Sequence, residues 1–131
     1  MRIHIERYSR SNFGATPDGP ATPEAIEWAF HAVHEDWSST ICIGSDDDSR
    51  ELLITASSGS FAVFARIDGR FFDLVGDSAD AGDAEFVHGG QPAPHPRRKI
   101  VNASLAKKAA LCFIMNPRGV VGADELTWEE Q

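Results

Sequence analysis

The chain has 131 residues, 42% of them hydrophobic, which is the size of one ordinary domain with enough apolar mass for a core. Its eight Phe and three Trp exclude a wholly disordered chain. A net charge of −8 argues against direct binding to nucleic acid, which relies on Lys and Arg neutralising phosphates, and steers the molecule toward basic surfaces instead.

In chain order, Met1, Ile3 and Ile5 alternate with Arg2, His4 and Glu6, the pattern of a half-buried strand. A polar loop is expected from Ser9 to Pro20. Thr22-Pro23-Glu24 then starts a helix: the Thr hydroxyl can cap, Pro suits the first helical position, and Glu favours the positive end of the dipole. Ile26, Phe30, Val33 and Trp37 fall on one face at helical spacing. From residue 40 the period shortens to that of strands. Thr40 to Ile43, Leu52 to Thr55, Phe61 to Ile67 and Arg70 to Val75 are each expected to be strands. Gly44 to Ser49 reads as an acidic turn, Ser58-Gly59 as a second turn, and Asp68-Gly69 as a tight hairpin turn whose residues tolerate positive φ. A small acidic loop runs from Gly76 to Asp83, after which Glu85 to His88 is expected to re-enter the sheet. Gly89 to Pro92 opens a glycine-proline loop leading to the basic run Arg97-Arg98-Lys99. Asn102 can cap a second helix with Leu105, Ala109, Cys112 and Phe113 as its apolar stripe and Lys107 and Lys108 toward water. Asn116-Pro117 stops it, and Leu126 to Glu129 alternates as a last short strand. The expectation is a single α+β domain over residues 1–131, an antiparallel meander covered on one face by two main helices.

The acid is concentrated. Residues 46–85 carry ten Asp or Glu against Arg50, Arg66 and Arg70, a balance of −7, whereas residues 86–131 come to +2. Cys42 and Cys112 both lie in apolar runs and read as free buried thiols of a reducing compartment. The N-terminal residues lack the apolar core of a secretion signal and no apolar run approaches a membrane span, so a cytoplasmic protein with no membrane partner is expected.

Chemistry-bearing groups are sparse. His31 and His34 sit one turn apart with no third ligand at sensible spacing, and read as solvent-facing. Asp46-Asp47-Asp48 lacks the alternation of a calcium loop, and His88 and His95 merely flank the glycine-proline segment. Neither cysteine has a base near it in sequence, and no dinucleotide or phosphate-binding glycine pattern occurs. The expectation is therefore no enzyme, no cofactor, no metal and no direct nucleic-acid contact.

One resemblance gives this scaffold a use. Val87-His88-Gly89-Gly90-Gln91-Pro92, then Ile100 and Val101, then Ser104 to Phe113, then the Leu126-Thr127-Trp128-Glu129 close resemble the type-one family of immunity proteins. Those are small cytosolic partners of polymorphic toxins in interbacterial competition. The resemblance implies an α+β fold, no catalysis, and neutralisation of a cognate toxin C-terminal domain, often a nucleic-acid deaminase, whose basic channel an acidic inhibitor can fill. On this reading the partner-binding residues are Asp46, Asp47 and Asp48 on one turn, Asp77, Asp80 and Asp83 on the acidic loop, and Trp128, Glu129 and Glu130 at the C-terminus. The alternative is a small-ligand-binding or regulatory α+β module with a pocket lined by Phe61, Phe64 and Phe71.

Overall fold

The alternation at Ile3 and Ile5 becomes strand β1 (Arg2–Tyr8), whose even-numbered side chains face one side of a sheet and whose odd-numbered ones face the other. A computed structural model describes residues 1–8, 13–76, 81–116 and 126–131 of the chain. After β1 come β2 (Phe13–Ala15), β3 (Gly19–Pro20), helix α1 (Pro23–Val33), β4 (Ser38–Gly44), β5 (Arg50–Ser57), β6 (Ser60–Ile67) and β7 (Arg70–Val75). They are followed by β8 (Asp83–His88), β9 (Gln91–Pro96), the 3₁₀ turn η1 (Arg97–Lys99), helix α2 (Ala103–Met115) and β10 (Thr127–Glu130).

Among the described residues, eight strands form one antiparallel sheet in the order β10-β7-β6-β5-β4-β1-β2, with β3 paired to the start of β1. The register explains the core. Ile3 lies opposite Ile43, Ile43 opposite Leu52, and Leu52 opposite Ala65, while Ala65 faces Phe72 on the next strand. Directly paired residues share a face, so one apolar face runs across five strands. Both helices cover it. Ile26, Ala29, Phe30 and Val33 of α1 and Ala106, Ala109, Ala110 and Phe113 of α2 are buried there. Each large side chain buried in this layer contributes about 1.5–3 kcal/mol. The helix starts are those the sequence marks: Thr22 Oγ1 accepts from Ala25 N at 3.1 Å, and Asn102 Oδ1 accepts from Leu105 N at 2.9 Å.

Several expectations need correction. The segment from Ser9 to Pro20 is not all loop: β2 and β3 both pair with β1, and Ile5 N donates to Thr16 Oγ1 at 2.8 Å. Helix α1 ends at Val33, so Trp37 does not continue its apolar face; Asp36 turns the chain by accepting from Arg7 and Ser39. On α2 the buried stripe is Ala106, Ala109, Ala110 and Phe113, rotated away from Leu105 and Cys112, which are half-buried. Three of the four stripe residues are alanines, whose small side chains lie in the core between helix and sheet. Finally, β8 does not rejoin the main sheet. It pairs with β9 around Gly89-Gly90, whose φ values of 52° and 80° allow a two-residue turn.

This β8–β9 hairpin sits on the face of the sheet opposite the helices. Ser38 Oγ donates to Val87 O at 3.1 Å and accepts from Gly90 N at 3.2 Å, and Ser57 Oγ accepts from Val87 N at 3.2 Å. The strand β9 was expected to be a loop because it holds Pro92, Pro94 and Pro96. The register accommodates them, since these three fall opposite Val87, Glu85 and Asp83 at positions whose nitrogens point away from β8. Cys42 lies on this hairpin side of the sheet while Cys112 belongs to α2 on the other, and both are free thiols.

Candidate functional site

The acidic β4–β5 turn is built by Asp47. Its Oδ1 accepts from Ser45 Oγ at 2.8 Å, Ser49 Oγ at 2.7 Å and Ser49 N at 3.0 Å. These bonds, those from Ser49 foremost, hold its carboxyl down at about 2. Asp47 therefore shapes the turn, and its exposed neighbours Asp46 and Asp48 project from it. Asp48 adopts φ 60°, a left-handed conformation that Asp tolerates better than most residues.

Asp46 and Asp48 line a cavity of about 270 Å³ together with Asp18, Glu51, His4, Cys42 and Arg2. The grouping follows from topology. Arg2 pairs with Gly44 and with Pro20, which brings the start of β1, the segment before β3 and the β4–β5 turn to one end of the sheet. Arg2 turns its Nη2 to the backbone oxygen of Asp18 at 3.2 Å. The carboxylates act on Cys42. Burial, then Glu6, Glu51 and Asp18, pushes its thiol up to about 12.

The other candidate residues are elsewhere. Asp77 and Asp80 lie outside the described residues. Asp83 is exposed at the start of β8, opposite Pro96. Trp128 is half-buried against the core, on the helix side of the sheet beside Leu74. Glu129 is bound by Arg98 at 3.0 and 3.2 Å, and Glu130 by Arg70 at 2.6 and 2.9 Å. Hydrogen bonds from Arg98 and Arg70 hold these two carboxyls below the usual range. The structure thus brings Asp46 and Asp48 together, adds Asp18 and Glu51, and leaves the C-terminal acids neutralised by arginines. Asp18 was missed because only the β1–β3 and β1–β4 registers bring it beside the β4–β5 turn, and local spacing does not encode register, whereas Glu51, three residues past Asp48, belongs to the same local run of acid.

A second polar cluster lies between the sheet and the hairpin. His88, His95, Asp73 and Lys99 border a cavity of about 250 Å³ with Leu53, Thr55 and Phe64. His88 Nε2 is 3.4 Å from His95 Nδ1, and both rings pack on Phe86. Burial above all lowers the pKa of both, and the neighbouring His95 adds to the effect on His88 while Lys99 adds to that on His95. The unfolded chain then binds more protons than the folded one as pH falls through the ordinary histidine range near 6.5. Stability is expected to be full above that range and to decline below it. Hydrogen exchange should show β8 and β9 losing protection between about pH 7 and pH 5, and His88→Gln with His95→Gln should remove most of the slope. An unchanged slope in that variant would place the titration elsewhere.

His31 and His34 stack at 5.8 Å and are both exposed. Phe61, Phe64 and Phe71 do not share a pocket: Phe61 is in the helix-side core, whereas Phe64 and Phe71 stack on the opposite face at 5.8 Å. An apolar groove of about 490 Å³ instead runs between β1 and α1 and is bordered by Ile3, Pro17, Pro20, Ala25 and the exposed Trp28. No helix among the described residues is long and apolar enough to cross a membrane. In comparisons with known proteins, no family model matches the chain and no curated protein is found to be similar to it.

Proposed function

We propose that this chain is a non-catalytic binding protein that docks the acidic end of its sheet on a basic protein surface, and that its partner is a toxin domain which it neutralises. The observation that carries the reading is the convergence of Asp18, Asp46, Asp48 and Glu51 around one shallow cavity that a single arginine, Arg2, borders. Acids elsewhere with arginine partners, Glu129 and Glu130, have little charge to offer. Carboxylates held on a preformed turn lose little freedom on binding, and their summed field accelerates encounter with a cationic partner. A toxin that acts on nucleic acid, such as a deaminase, has a basic channel of this kind, in which the carboxylates stand where phosphates would.

The test is co-expression with the C-terminal domain of whichever large protein is encoded next to this chain, read by growth and by co-purification. Growth rescue and a complex that weakens with salt are expected. Asp46→Lys combined with Asp48→Asn should slow association by about tenfold or more and flatten its salt dependence, with the melting temperature unchanged. A complex whose on-rate ignores both changes would move the interface off this turn. If no complex forms and growth is not rescued, the small-ligand reading gains, with the apolar groove beside Trp28 as its site.

A further inference from the structure

His4, Glu6 and Cys42 converge although they come from two strands far apart in sequence. His4 lies directly opposite Cys42 in the β1–β4 register, and Glu6 is two residues along β1 on the same face. His4 Nε2 is 3.7 Å from Glu6 Oε1, Cys42 Sγ is 3.7 Å from Glu6 Oε2, and one donor atom from each residue lies within 4.8 Å of the other two. Among the described residues no other three His, Cys, Asp or Glu side chains form such a group. A tetrahedral zinc ion with bonds of about 2.0–2.3 Å sets its donors about 3.3–3.6 Å apart, so side-chain shifts of about 1 Å bring this group to that geometry.

A second observation concerns the outer shell. His4 Nδ1 is 2.9 Å from Asp18 Oδ1. A carboxylate that accepts a hydrogen bond from the N–H of one ring nitrogen leaves the lone pair of the other free, and this is the arrangement that orients metal-bound histidines. Here it turns Nε2 toward Glu6. We propose that His4, Glu6 and Cys42 form a site for a divalent transition cation, zinc foremost, with Asp18 as the residue that positions His4. Thiolate, imidazole and carboxylate together select zinc over calcium or magnesium, which take oxygen donors alone. Three protein donors leave a fourth position open toward solvent, as in sites that exchange a ligand. The thiol loses its proton to solvent as the metal–sulfur bond forms. Neighbouring carboxylates that oppose a thiolate by itself favour the doubly charged cation, so the same field works in the site's favour once metal is present.

The site does not rest on the toxin reading and is tested without a partner. Reduced full-length chain is titrated with Co²⁺, followed by near-ultraviolet absorption for the thiolate charge-transfer band, then with Zn²⁺ in competition. One ion per chain, a thiolate band, and loss of that band on adding zinc are expected. Cys42→Ser should abolish the band while Cys112→Ser leaves it intact. Glu6→Gln, at a half-exposed side chain, serves as a second ligand variant should Cys42→Ser fold poorly, and it should weaken binding at least tenfold. Asp18→Asn should keep the band but weaken affinity by about 10–100-fold. No band at saturating cobalt, a band that follows Cys112, or affinity indifferent to Glu6→Gln would each overturn the assignment.

Discussion

Replacing Phe61 with alanine is expected to lower the unfolding free energy by about 3–5 kcal/mol, a large fraction of what a domain of this size has. The ring is buried at 1% exposure and packs on Phe30 with centroids 5.4 Å apart, at the junction of sheet and helices. The backbone around it is also fixed. Phe61 N donates to Val101 O at 3.0 Å and Val101 N donates to Phe61 O at 2.7 Å, which ties β6 to the segment leading into α2. A wall held from both sides collapses poorly into a cavity, and that places the cost toward the upper end. Urea unfolding measures it. A loss below about 1 kcal/mol would mean that the helix layer does not pack on Phe61 as described.

The second large effect belongs to Lys99. Its Nζ is 2.8 Å from Asp73 Oδ2 and 3.6 Å from Glu129 Oε1, and the Lys99 and Asp73 side chains are only 17% and 14% exposed. Asp73 accepts one further bond, from Gln131 Nε2 at 2.9 Å. Lys99→Ala strips a nearly buried carboxylate of its counter-charge and is expected to cost about 2–4 kcal/mol, slightly less than a fully buried pair because some solvent reaches it. The double variant Lys99→Met with Asp73→Leu should recover most of that loss, since removing both charges also removes their desolvation cost. A double-mutant cycle decides the matter. A single-variant cost under about 1 kcal/mol would class the pair with solvent-screened surface bridges.

The main elements were legible because local rules and tertiary structure agree there. Thr22-Pro23 and Asn102 cap the helices they were expected to cap, and Asp68-Gly69 takes φ values of 49° and 81°, as a tight hairpin needs. Where two residues compete for one signal, the reading failed. Trp37 is in phase with Ile26 and Phe30, but Asp36 captures Arg7 and Ser39 and ends the periodicity before it. Pro92, Pro94 and Pro96 read as a loop because local propensity counts prolines without knowing which side of a strand their nitrogens face. The acidic bias of the centre was visible in sequence, and Asp46 and Asp48 do stand at the acidic cavity. Its completion by Asp18, and the meeting of His4 with Cys42, depend on which residue of β1 lies opposite which residue of β4, and no run of residues along one strand records that.

The proline positions in β9 have one more effect. With Gln91, Ala93 and His95 turned toward β8, the nitrogens on the outer side belong to Pro92, Pro94 and Pro96, so this edge has carbonyl acceptors and no N–H donors. A strand from another molecule that approached it would find half of each hydrogen-bond ladder missing. The hairpin can fold back on its own sheet yet cannot recruit a neighbour, which guards a β-rich chain against fibre growth from that edge.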